Sequence, residues 1–174
     1  MAETGDTLTL PGGTAFTVVE SAADSDGRRI EFEIAMPAGA MGPPKHFHPR
    51  QDESWRVLEG ELSVFVDGAW HTLGEGESMS IRPNVVHTLR NRSDAVARFR
   101  DLHEPALEFQ EYIEALAALA AAGKLTGRMT PSAVIHGAMV LRRHRTTQLT
   151  ASGGQRVAET VLAGVGRLLG YRAG

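Results

Sequence analysis

Between residues 14 and 103 the chain runs as short segments in which apolar and polar positions alternate, each closed by a turn signal. The clearest lies within 28–36, where Ile30, Phe32, Ile34 and Met36 interleave with Glu31, Glu33 and Ala35. A period of two places alternate side chains on opposite faces, so this segment predicts a strand with one buried and one wet face. Residues 14–22 predict its neighbour, across the turn cluster ADSDG. Further short strands are predicted at WRVL, LSVFV, AWHTL, SMSI and VHTLRN, cut by Glu59-Gly60, Asp67-Gly68, Gly74 to Gly76 and Pro83-Asn84. Asp67-Gly68, set between two alternating runs, is a hairpin signal. VARFRDLH, residues 96–103, predicts the last strand of the series.

After Glu104 the period changes. Phe109, Tyr112, Ile113, Leu116 and Leu119 recur at helical spacing between Pro105, a favoured first helical residue, and Gly123. A second helix is predicted with Thr130 as its cap and Pro131 in its first turn, running through HGAMVLRRH. A third is predicted from about Gln155 to Leu169, with Val157, Val161, Leu162, Val165 and Leu168 on one stripe. The expected organisation is a β-barrel over residues 1–104 and a helical extension over 105–174. The extension's apolar stripes require cover, so it is expected to pack on the barrel or on the partner in a homodimer.

Composition narrows the function. A chain of 174 residues with 42% hydrophobic and 22% charged residues suits one globular domain with an appendage. Its net charge of -3 and lack of a long basic stretch give no support for a nucleic-acid partner. No apolar run is long enough to span a bilayer, so no membrane partner is expected. The opening MAETGDTLTL has no basic region followed by an apolar run, which makes a cytoplasmic location the expectation. Cysteine is absent, which removes disulfides, thiolate metal sites and thiol nucleophiles.

The candidate chemistry sits in KHFHPRQDESWRVLEG, residues 45–60. If 46–48 is extended, His46 and His48 leave the backbone on one face. Pro49 disturbs the strand behind them, and the polar run Arg50, Gln51, Asp52 turns Glu53 back toward the imidazoles. His87 opens a later strand and stands opposite them if the sheet rolls up. Two or three imidazoles with a carboxylate suit zinc or a redox-active first-row metal. Trp55 shares the face of Glu53 and either lines a pocket or belongs to the core; Asn91 either supports a ligand or ties down a strand end. His71, His103, His136 and His144 have no partner at ligand spacing and read as structural residues.

These spacings resemble the two motifs of the cupin superfamily. The first is matched by His46, His48, Glu53 and Gly60, the second by Gly76, His87 and Asn91. Arg82 stands at the second motif's usual Pro and Asn84 at its usual Gly; Asn is the next residue most tolerant of positive φ. The resemblance implies a mainly β fold, the cupin-type double-stranded β-helix or jelly-roll barrel, here with a C-terminal α-helical extension. It also implies a divalent transition metal (Fe, Mn, Ni, Cu or Zn) held by His46, His48, Glu53 and His87, with a homodimer as the family's habit. Four protein ligands on a six-coordinate metal leave two positions for a small-molecule substrate or dioxygen. Glu53 is then the candidate catalytic base, as the ligand most easily released. The expectation is a dioxygenase-like oxidoreductase acting on a small enol, phenol or diketone. A non-redox isomerase or lyase, and a binding or sensing module without turnover, are the alternatives.

Overall fold

Alternation in the segment around Phe32 becomes strand β3, whose inward residues Ile30, Phe32, Ile34 and Met36 are all buried. A computed structural model describes residues 1–172. In chain order its strands are β1 (Thr7–Thr9), β2 (Ala15–Glu20), β3 (Ile30–Met36), β4 (His46–Phe47), β5 (Asp52–Glu59), β6 (Leu62–Val66), β7 (Ala69–Leu73), β8 (Ser78–Ile81), β9 (His87–Arg90) and β10 (Ala97–Glu104). Then come α1 (Phe109–Ala121), α2 (Pro131–Arg143), β11 (Leu149–Thr150) and α3 (Gly153–Leu168).

The strands form two antiparallel sheets, in the orders β1-β2-β3-β10-β5-β8 and β11-β4-β9-β6-β7. Their inner faces supply a core of large apolar side chains, with Phe32, Trp55, Leu62, Val64 and Phe99 all buried. Burying each such side chain stabilises the fold by about 1.5–3 kcal/mol. The Asp67-Gly68 hairpin forms as predicted between β6 and β7, with φ of 47° and 91° at its two turn residues, the pair of positive values that a type I′ turn needs. Asn84 takes a φ of 67°, the conformation for which the family's usual Gly is suited.

Three elements depart from the sequence reading. The first helix starts at Phe109 rather than at Pro105. Gln51 Nε2 donates to both Pro105 O and Ala106 O at 2.9 Å, and Leu107 has a φ of 45°, so the segment after β10 is tied to the barrel in a non-helical turn. The short strand β11, which has no alternation to announce it, pairs with β4 and so joins the extension to a barrel sheet. Finally, α3 does not bury its valine stripe. It meets α2 through Ala163 and Gly166, where a Cβ on Gly166 would lie 2.7 Å from Ile135 Cγ2 and 2.5 Å from Met139 Sδ. Val157, Val161, Val165 and Leu168 are left facing solvent.

Candidate metal centre

The inward alternation of β5 puts Glu53 and Trp55 on the core face. On the facing sheet, β4 and β9 pair with His46 directly opposite His87. His48 follows β4 and is buried beside them. One ligand atom from each of His46, His48, Glu53 and His87 lies within 4.8 Å of every other. His87 Nε2 is 3.1 Å from His46 Nε2 and 2.8 Å from Glu53 Oε2, and His48 Nε2 is 3.4 Å from the same oxygen. Donors about 2.1 Å from a shared ion stand roughly 3.0–3.4 Å apart, so the spacing fits a first-row metal.

The ring nitrogens make that fit specific. His46 Nδ1 donates to Pro44 O at 2.9 Å, His87 Nδ1 to Val85 O at 2.8 Å, and His48 Nδ1 to Thr147 O at 2.5 Å. Each carbonyl fixes its neutral ring in the tautomer whose bare Nε2 points inward. With all three rings neutral, three lone pairs and a carboxylate converge with no donor among them, and neither His48 Nε2 nor Glu53 Oε2 has a hydrogen-bond partner. Buried acceptors facing one another are costly until a cation joins them.

Protonation follows the same geometry. Burial, with His87 and His48 alongside, holds the His46 imidazole well below its ordinary value. At His87 burial opposes the charged form, but the Glu53 carboxylate outweighs it and raises the pKa. Burial pushes Glu53 up; His87 and His103 overcome it and hold the carboxyl well below its usual range.

A second group adjoins the first. Glu53, Asp101 and His103 also bring ligand atoms within 4.8 Å of one another. His103 Nε2 is 3.7 Å from Glu53 Oε1 and 3.3 Å from Asp101 Oδ1, and its ring stacks on Phe109. In β10 His103 lies opposite Glu53 and Asp101 opposite Trp55. Burial raises the Asp101 pKa against the pull of His103. The sequence reading took His103 for a structural residue and passed over Asp101. The available signal was their place on the inward face of β10, two and four residues beyond Phe99. His71 is exposed, and His136 donates to Ser132 O within α2; both lie apart from the cluster. Asn91 ties down a strand end, with Nδ2 bonded to Met36 O, Pro37 O and Ala95 O.

The cluster opens onto a cavity of about 280 Å³. Its wall is mostly apolar, built from Phe16, Met36, Trp55, Phe99, Phe109 and Ile113 among others, with Thr14, Asp101, Tyr112 and Gln148 as polar residues beyond the cluster. Neither Lys nor Arg lines it among the described residues. The loop Met41 to Pro44 forms part of its lining and is held by Gly42 N donating to Leu89 O at 3.0 Å, an approach that a Cβ, 2.4 Å from that oxygen, would not allow.

The arrangement defines a class: an antiparallel β roll with a buried three-histidine, one-carboxylate cluster at the inner end of a pocket. Residues 32–103 match the family model described as "Cupin domain", so that stretch of the barrel carries the cupin fold. The chain is 33% identical over 75 residues to an HTH-type transcriptional regulator, SutR, of Escherichia coli, covering 42% of each protein. It is 36% identical over 56 residues to an oxidoreductase of Arthrobotrys oligospora, covering 32% of this chain and 22% of that one. It thus spans less than half the length of these curated relatives. A solved RmlC-like cupin from Shewanella frigidimarina superposes with a TM-score of 0.52 at 25% identity, over 63% of this chain and 92% of that one.

Proposed function

We propose that this protein is a metal-dependent cupin enzyme, dioxygenase-like, acting on a small enol, phenol or diketone. The observation that carries the reading is the apolar, cation-free cavity that ends on His46, His48 and Glu53, three members of the cluster that His87 completes. Such a pocket favours a largely apolar molecule whose oxygen reaches the metal, and disfavours a phosphorylated sugar, whose charge would find no Lys or Arg. A bound divalent metal would supply Lewis acidity and, as iron, manganese, nickel or copper, electron transfer with dioxygen.

The chain's own residues supply the rest. The imidazoles are held by main-chain carbonyls with Nε2 inward, so little reorganisation is needed to receive the ion. Glu53 presents Oε2 to the imidazoles and Oε1 to His103, and is the proton acceptor of the proposal. Trp55, Phe99 and Phe109 keep water from the reacting face. The test is metal analysis after gentle purification, followed by oxygen uptake with a panel of enols, phenols and diketones. Zinc as the native ion, with no uptake from any of them, would sink the oxygenase reading in favour of a non-redox isomerase or lyase. Glu53→Gln with metal retained and turnover unchanged would remove the base role.

A second reading is a ligand sensor without turnover, supported by the likeness to a transcriptional regulator over 42% of the chain. A pocket ligand recovered intact after long incubation with the metal-loaded protein would favour it.

A further inference from the structure

Residues 147–151 lie outside the stretch that matches the cupin family, 32–103, yet they are built into the metal centre. Thr147 O accepts the bond from His48 Nδ1 and thereby sets the inward tautomer of that ligand. Thr147 Oγ1 also donates to Gln51 Oε1, and Gln51 Nε2 in turn holds Pro105 O and Ala106 O, where the extension leaves the barrel. Three residues on, Thr150 lies opposite His46 in the pairing of β11 with β4, and Ala151 N donates to Lys45 O at 2.9 Å. Between them, Gln148 reaches the cavity and bonds Tyr112 OH at 3.2 Å. A five-residue arm from the far side of α2 therefore orients the His48 imidazole and pairs with the main chain that carries His46.

From this placement we infer that metal binding and docking of the 147–151 arm are thermodynamically linked, so that the ion clamps the extension onto the barrel and the docked arm tightens the ion. The inference rests on the metal-centre reading. Without a cation, His48 Nε2 faces Glu53 Oε2 with no donor between them, so the ring is anchored only through Nδ1. A cation bound at Nε2 would polarise the ring and make Nδ1–H a stronger donor to Thr147 O, while that carbonyl makes Nε2 a more basic ligand. Linkage is reciprocal: whatever factor the docked arm adds to metal affinity, the metal adds to docking. Thr147 is a positioning residue, acting through His48, and its contribution comes from the main chain.

The experiment is hydrogen exchange on the full chain, metal-stripped and zinc-loaded, with zinc affinity measured in parallel by competition against a chelator. The amides of 147–151 are expected to exchange about tenfold or more slowly with zinc bound, a typical coupling factor. Those of β7, on the sheet edge away from β11, should not change. Ala151→Pro removes the donor to Lys45 O without touching a ligand, and should weaken zinc binding by about 10–100-fold, as the loss of an outer-shell support does. Thr147→Val deletes only the hydroxyl link to Gln51 and should shift affinity the same way by less. Tight zinc binding with unchanged 147–151 exchange, or unchanged affinity in both variants, would overturn the linkage and leave the metal centre standing. Failure of the wild-type chain to bind zinc, iron, manganese, nickel or copper would overturn both.

Discussion

His87 Nε2 stands 3.1 Å from His46 Nε2 and 2.8 Å from Glu53 Oε2, so replacing its ring by a methyl opens the cluster on the side facing both. His87→Ala is expected to lower metal affinity by more than about 100-fold, beyond what losing an outer-shell partner costs, and chelator competition measures it. A different residue reports on the cavity wall. Burial pushes the Tyr112 phenol up to about 12 from 10.0. Between those values the unfolded chain has lost a proton that the folded chain keeps, so stability is intact below pH 10.0 and falls as pH rises toward 12. The loss should approach about 3 kcal/mol. Denaturant melts on either side of pH 10.0 measure it, and Tyr112→Phe should flatten the slope.

At the scale of elements, the extension is held by small residues and caps. Thr130 accepts from Ala133 N at the start of α2, and Ser152 from Gln155 N at the start of α3. The two helices meet where Gly166 leaves no room beside Ile135 and Met139. Gly166→Val forces a branched side chain into that contact and should cost about 1–3 kcal/mol. A lowered melting temperature in calorimetry, by roughly 2–10 °C, is the expected result. An unchanged melting temperature would mean that the helices part there at no cost.

For the whole molecule, the solvent-facing stripe of α3 is the feature that one subunit leaves unexplained. Val157, Val161, Val165 and Leu168 repeat at intervals of four, four and three, a spacing that fits a second helix of its own kind. We propose a homodimer on this face. Sedimentation velocity should then show a dimer for the wild-type chain, with the Val161→Glu, Val165→Glu double variant running as a folded monomer. A wild-type monomer at high concentration would refute it. No helix among the described residues is long and apolar enough to cross a membrane.

What the sequence determined by itself is local. Alternation around Ile30 to Met36 fixes a strand because a period of two has no other regular home, and Asp67-Gly68 fixes a turn because few residue pairs tolerate positive φ twice. The four members of the cluster were legible too, since His46, His48 and Glu53 fall close along the chain and His87 heads a strand of its own. Only the tertiary structure decided what depends on register between distant strands. The pairing of β10 with β5 sets His103 against Glu53, and the pairing of β11 with β4 brings Thr147 to His48. Neither follows from spacing along the chain. A two-residue strand carries no period, and an inward Asp and His become a polar cluster only when packing places a carboxylate opposite them. The face α3 buries was likewise settled by fit, because close approach to Ile135 and Met139 selected Ala163 and Gly166 over the larger valines.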